Sequence, residues 1–200
     1  MIKAAHTLTG KCFFSIFSYF GLKKTFHRVV YKSNYIDNGK PVLIISNHFS
    51  WWDGFIQLQL NRKIFHRKFH VMMLEKQLRK FMILNKTGAF SVNPGSRDVI
   101  ESLNYTAELL EDNKNLVLFF PQGEIQSVYT GYFKFEKGLE YILKKCKNEI
   151  SMVFNVNLID YFSEKKPTLS VYFTEFVYKN KTFSEIETAF NRYADKCKIQ

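Results

Sequence analysis

The chain predicts an α/β fold: a mixed, mostly parallel central sheet flanked by helices, with an aromatic-rich helical segment in front. Three observations predict it. Short, continuous apolar runs, Val42-Leu43-Ile44-Ile45 and Asn115 to Pro121, read as buried strands. Segments with helical apolar spacing alternate with them, such as Asp98 to Leu110 with Val99, Leu103, Ala107 and Leu110. Polar side chains follow directly after the apolar runs, as they do where strand ends gather at one sheet edge. A length of 200 residues suits one domain over 1–200, and no repeat or low-complexity tract marks a second.

The elements follow in order. Residues 13–20 (Phe-Phe-Ser-Ile-Phe-Ser-Tyr-Phe) lie between Lys11 and Lys23-Lys24. This apolar piece is roughly half of what a helix needs to cross a bilayer. No small-residue cleavage site follows it, so export is not expected. Two readings stay open: a helix lying in the membrane interface, making 1–35 a membrane-associating segment, or an ordinary first helix packed on the core. Asn34 to Pro41 reads as a strand end and turn. The strand Val42–Ile45 leads into Ser46-Asn47-His48-Phe49-Ser50-Trp51-Trp52-Asp53, and a short helix is expected from Gly54 to Leu60. Residues 62–70 are densely basic with interleaved aromatics, a solvated face or an anion-binding run. Phe69 to Leu74 reads as a strand and Gln77 to Leu84 as a helix. Gly88 to Asp98 passes through a Pro-Gly turn, with Ser96 as expected N-cap of the helix that follows. The strand Asn115–Pro121 opens into Gln122-Gly123-Glu124-Ile125-Gln126. Phe133 to Gly138 precedes a helix to about Lys145, strands are expected at 151–159 and 169–178, and a last helix at Ser184–Cys197.

Composition bounds the partners. Lys and Arg number 29 against 18 Asp and Glu, a formal charge of +11, so an anionic partner is expected. Nucleic acid, an anionic membrane surface, a phosphorylated cofactor and an acidic carrier protein all satisfy that charge. The 21 Phe and 11 Tyr fall mostly in core-like periodic runs, and no nucleic-acid motif is present, so nucleic acid is not the expected partner. Three cysteines, Cys12, Cys146 and Cys197, share no metal-ligand spacing, so neither a metal site nor a disulfide framework is expected. A reducing, cytoplasmic compartment is the simplest setting.

The chemistry centres on His48 and Asp53, five residues apart in the loop after a buried strand. A histidine there can take the proton of an alcohol while a carboxylate holds its tautomer and stabilises the imidazolium. The plainer alternative is a surface histidine with Asp53 favouring the dipole of the next helix, and the two roles of Asp53 are compatible. There is no Gly-x-Ser-x-Gly elbow, and no Cys lies near a motif histidine, so no dedicated nucleophile is expected.

Three motifs in this order resemble the glycerolipid acyltransferase superfamily, the lysophospholipid and 1-acylglycerol-3-phosphate acyltransferases. Asn47, His48 and Asp53 match its N-H-x-x-x-x-D. Gly88 to Asp98 is similar to its G-x-I-x-V-x-R-G-S-R-D, with Pro94 in place of one arginine and Arg97 retained. Phe120-Pro121-Gln122-Gly123-Glu124-Ile125-Gln126 stands where the family has F-P-E-G-T-R-S. Lys137-Gly138 looks like a later lysine-glycine pair, and Val153 to Asn157 a weaker fourth block without its proline. The likeness covers roughly 40–160.

The resemblance implies a catalytic pair, His48 as general base and Asp53 as its orienting carboxylate, acting in direct transfer from a thioester to a lipid hydroxyl. It implies a substrate-binding set of Asn47, Ser50, Arg97, Gln122, Gly123 and Glu124, with amides near Gly123 or in the helix after Asp53 meeting the oxyanion. No permanently bound cofactor is expected; acyl-CoA or acyl-carrier protein is the donor cosubstrate. The partners implied are an anionic membrane surface, a lipid acceptor and an acyl-carrier protein, at the inner face of the cytoplasmic membrane. The third block departs from the family: its glutamate is Gln122, its threonine Glu124 and its arginine Ile125. Losing that guanidinium removes a phosphate clamp, so the expected acceptor has a free hydroxyl without a phosphate at that place. The alternative is a non-catalytic lipid or carrier-protein binder derived from this family.

Overall fold

The computed structural model describes residues 1–199. Its strands are β1 (Arg28–Ser33), β2 (Val42–Ser46), β3 (Lys68–Leu74), β4 (Ala89–Val92), β5 (Asn115–Phe119), β6 (Ser151–Asp160) and β7 (Thr168–Phe176). The helices are α1 (Leu8–Thr25), α2 (Asp53–Leu60), α3 (Glu75–Lys80), α4 (Asp98–Leu109), α5 (Gly138–Lys145) and α6 (Phe183–Lys198). All seven strands join one sheet in the order β1-β7-β6-β2-β5-β3-β4. Every pairing is parallel except β6 with β7. Five neighbouring strands, β6, β2, β5, β3 and β4, therefore end at the same edge. β5 comes back between β2 and β3, so the loops leaving β2 and β5 meet at that edge, the usual place for a ligand crevice.

The continuous apolar strands are explained by cover on both faces. Val42 and Ile44 of β2 face a core that includes Phe14, Leu22, Phe55 and Ile56 of α1 and α2. Leu43 and Ile45 face the opposite one, with Leu103, Leu139, Ile142 and Phe190 of α4, α5 and α6. A one-residue slip of β2 would exchange these two sets, so its register is fixed by both cores at once.

The N-terminal helix packs one face on the core and leaves the other exposed. Phe14 and Leu22 are buried, and Phe14 stacks on Phe55 at 5.9 Å. On its outer side Leu8, Phe13, Ile16, Tyr19 and Phe20 are exposed. Gly21 allows the close approach to α2, because a Cβ there would lie 2.7 Å from the Trp52 ring. No helix among the described residues is long and apolar enough to cross a membrane.

Four local expectations are corrected. β1 forms ahead of the strand end expected from Asn34, its Val29-Val30-Tyr31 pairing with β7. The helix expected over Gln77–Leu84 stops at Lys80; Phe81 turns the chain and a 3-10 segment runs from Met82 to Thr87. Arg97, not Ser96, occupies the N-cap of α4, and Ser96 Oγ accepts from the Asp98 amide. The basic run is neither one solvated face nor one patch. A π-helical turn, Asn61–Phe65, and left-handed His66 rotate it, so that Arg67 pairs bidentately with Asp37 while Phe69 and His70 are buried.

Residues 1–7 lie against the β4 side of the molecule. Ser91 N donates to Ile2 O, Ala5 N to Asn85 O and Thr7 N to Lys86 O. The His6 ring sits 2.8 Å from the Phe69 carbonyl by Nε2. Gly88 makes room for both with φ 109°; a Cβ there would fall 1.8 Å from Phe69 O, so no other residue fits.

Candidate active site

His48 follows β2 and Asp53 opens α2, and one short loop brings their side chains together. His48 Nδ1 lies 2.7 Å from Asp53 Oδ2. The same oxygen accepts the backbone amides of Phe49 (2.8 Å) and Ser50 (2.9 Å), so the loop is wound around the carboxylate. Asp53 is wholly buried and His48 keeps 22 % of its side chain exposed. Burial pushes the Asp53 carboxyl above the usual range, opposed by the His48, Ser50 and Phe49 hydrogen bonds. An ionised Asp53 accepts a proton-bearing Nδ1, which leaves Nε2 as the basic nitrogen.

The imidazole is held from two further sides. It stacks on Phe120 at 4.1 Å and 18°. The His48 amide donates to Gln122 Oε1 (2.8 Å), and the His48 carbonyl accepts from Gln126 N (2.8 Å). The loop after β5 thus fixes the histidine's backbone as well as its ring face.

The residues expected to bind substrate divide. The Asn47 Nδ2 donates to Asn157 O (3.0 Å) and its Oδ1 accepts from Asn157 N (2.8 Å). Its buried side chain acts as an extra rung joining the loop to β6. Gln122 is buried, its oxygen held by His48 N and its amide nitrogen donating to Gln126 Oε1 (2.7 Å), so it fixes the backbone at His48. The Gly123 amide donates to Phe120 O within a turn at φ 71°. Ser50 shapes the loop: its hydroxyl oxygen accepts from Trp52 N. Glu124 is exposed beside Ile125 and accepts from Gln126 Nε2. Arg97 is exposed at the same sheet edge but after β4, with β5 and β3 between its strand and β2.

Beneath the loop lies a buried polar layer. Ser46 Oγ donates to Asn155 Oδ1 (2.8 Å), Gln57 Nε2 donates to the same oxygen, and Asn155 Nδ2 donates to Tyr172 O. The signal for it was two asparagines, Asn155 and Asn157, inside an otherwise apolar strand that disfavours them.

A family model described as Acyltransferase matches residues 27–156. No curated protein matches the chain. Among solved structures, the chain is similar to the crystal structure of the 1-acyl-sn-glycerophosphate (LPA) acyltransferase PlsC from Thermotoga maritima. The TM-score is 0.58 at 16 % identity, covering 94 % of this chain and 78 % of that one. Both findings fit the mostly parallel sheet with its N-terminal aromatic helix. The chain therefore belongs to the Acyltransferase family.

Proposed function

We propose that this acyltransferase moves a fatty acyl group from an acyl-CoA or acyl-carrier-protein thioester to a lipid hydroxyl by direct attack. The observation that carries the reading is the His48–Asp53 pair, a buried carboxylate held by the Phe49 and Ser50 amides and hydrogen-bonded to a histidine that reaches solvent. His48 Nε2 takes the hydroxyl proton as the oxygen bonds to the thioester carbonyl carbon. Collapse of the tetrahedral intermediate breaks the C–S bond, and the imidazolium returns that proton to the departing thiolate. Asp53 stabilises the imidazolium between these steps. His48→Ala is expected to lower transfer by about 10²–10⁴-fold. Equal thioester consumption by wild type and variant would remove the mechanism, and lipid or carrier binding without turnover in either would favour the non-catalytic binder.

The acceptor we infer carries no phosphate beside the loop after β5. Ile125 is exposed there and Glu124 adds a carboxylate, with no guanidinium in that turn. Ile125→Arg is expected to improve turnover of lysophosphatidic acid relative to an unphosphorylated alcohol. The reading is lost if the wild type already uses lysophosphatidic acid efficiently and the variant changes nothing.

We further propose that the reactive edge works against a membrane surface, at the inner face of the cytoplasmic membrane. Exposed apolar residues flank the His48 loop on one side, from Phe13, Ile16 and Phe20 of α1 to Trp51, Phe81, Met82 and Ile83. Phe17 stacks on Trp52 and Trp51 packs against Phe81, which makes this a continuous face rather than scattered side chains. Binding to anionic vesicles, falling with salt, checks it.

A further inference from the structure

A cavity of about 290 Å³ opens beside the His48 loop, lined by Phe49, Val128, Tyr129, Ile159, Asp160 and Tyr161. Its three walls are tied to the reactive histidine. Phe49 is the next residue in the chain, and the Gln126–His48 backbone bond brings up the segment carrying Val128 and Tyr129. The Asn47 rung to Asn157 aligns β6, whose end supplies Ile159 and Asp160 before Tyr161. His48 precedes the lining residue Phe49 directly in the chain.

The charge of this cavity runs against that of the chain. In a protein with 29 Lys and Arg against 18 Asp and Glu, it is lined by one carboxylate and no Lys or Arg. Asp160 makes no ion pair among the described residues. Cations gather instead around a separate groove of about 430 Å³, which includes Lys23, Arg28, Arg62 and Lys63, between α1, β1 and the end of α2. Three aromatic rings and an unpaired carboxylate form the environment that holds an ammonium ion, the rings by their negative faces and the carboxylate by its charge. A phosphate would meet like charge and no donor fork.

We propose that this cavity is the acceptor subsite and that it takes a lipid alcohol whose headgroup bears an ammonium group. The proposal rests on the transferase reading of His48 and narrows its acceptor. Phe49, Tyr129 and Tyr161 line the open cavity on which the cation rests, Asp160 balances it, and the hydroxyl is presented towards the His48 loop.

The test uses the full chain with a thioester donor and three single-chain lipid alcohols: one with a trimethylammonium headgroup and no phosphate, a monoacylglycerol, and lysophosphatidic acid. Wild type is expected to prefer the first. Asp160→Asn is expected to raise KM for that acceptor about tenfold while kcat stays within about twofold, leaving the monoacylglycerol unaffected. Asp160→Lys is expected to shift preference towards lysophosphatidic acid. Tetramethylammonium, titrated by NMR, is expected to bind wild type and His48→Ala alike and to lose binding in Asp160→Lys, a readout that needs no turnover. His48-dependent turnover with no charge preference, or equal effects of Asp160→Asn on all three acceptors, overturns the subsite and leaves the transferase standing. Asp160-dependent tetramethylammonium binding without any His48-dependent turnover removes the transferase and the acceptor role with it.

Discussion

Acidification from pH 7 to pH 5 is expected to weaken the fold through one side chain on β3. His70 is 1 % exposed, its Nε2 3.2 Å from Asn115 Oδ1 and its Nδ1 buried without a partner. The His6 ring meets it edge-on at 4.7 Å. Burial pushes His70 down to about 3; His6 and Lys68 add to the effect, while the Asn115 bond and Asp112 oppose it. The unfolded chain protonates this histidine near 6.5, well before the folded one does. Its contribution is therefore intact above pH 6.5 and is lost as pH falls towards 3. For one such group the loss between pH 7 and pH 5 is about 2 kcal/mol. That corresponds to roughly 4–8 °C in Tm for a chain of this size. Thermal melts of wild type and His70→Phe at pH 7, 6 and 5 measure it, because titration common to both proteins cancels in the difference of slopes. Equal slopes would refute the reasoning. Burial also holds His6 below its ordinary value, with Lys68 and Lys11 in the same direction and the Phe69 carbonyl opposing. The Ala5 and Thr7 amides, which this arm ties to Asn85 and Lys86, are expected to show lower protection at pH 5 than at pH 7, each measured against the intrinsic exchange rate at that pH.

Three more outcomes follow from the same geometry. Asn47→Ala leaves the Asn157 amide and carbonyl buried without partners, which is expected to cost about 3 kcal/mol and roughly 6–12 °C in Tm; differential scanning calorimetry checks this, and an altered acceptor KM with unaltered melting would restore a substrate-contact role. Asp53→Asn removes a buried charge but keeps an acceptor for the loop amides. Because the folded state raises the Asp53 pKa, ionisation destabilises it as pH climbs past the ordinary carboxylate range, so the variant is expected to melt at or above wild type at pH 7. Its transfer rate is expected to fall by about 10²–10⁴-fold, since the tautomer is no longer held. On α1, Phe13→Ser and Phe20→Ser are each expected to weaken vesicle partition about tenfold with little change in melting. Phe14→Ala, whose ring lies on Phe55, is expected to cost about 3 kcal/mol of stability in solution instead.

What was legible in the sequence was local. β2 and β5 stood out because both faces are covered, so all but one position of each is apolar. His48 and Asp53 were seen together because one turn of loop joins them. The bounds of α4, α5 and α6 followed from apolar spacing. What was hidden depended on partners far along the chain. β1 is an edge strand whose Val29-Val30-Tyr31 gains meaning only beside β7, some 140 positions away (Lys32 opposite Tyr172). The break after Lys80 carries no glycine or proline to announce it. Asn47 and Gln122 looked like ligands for substrate because they are polar residues in motif loops. Only the register of β6, and the side on which β5 returns, gives them backbone groups to hold instead.

That dependence sets when activity can arise during synthesis. The histidine emerges early, yet its backbone amide waits for Gln122, 74 residues downstream, and the neighbouring Asn47 for Asn157, 110 residues beyond it. Most of the chain must leave the ribosome before the reactive loop has its supports, and closing such long separations is slow compared with local helix formation. Acyl transfer would then report that β6 has arrived beside β2, and a nascent chain truncated before Asn157 would carry both His48 and Asp53 in an unsupported loop.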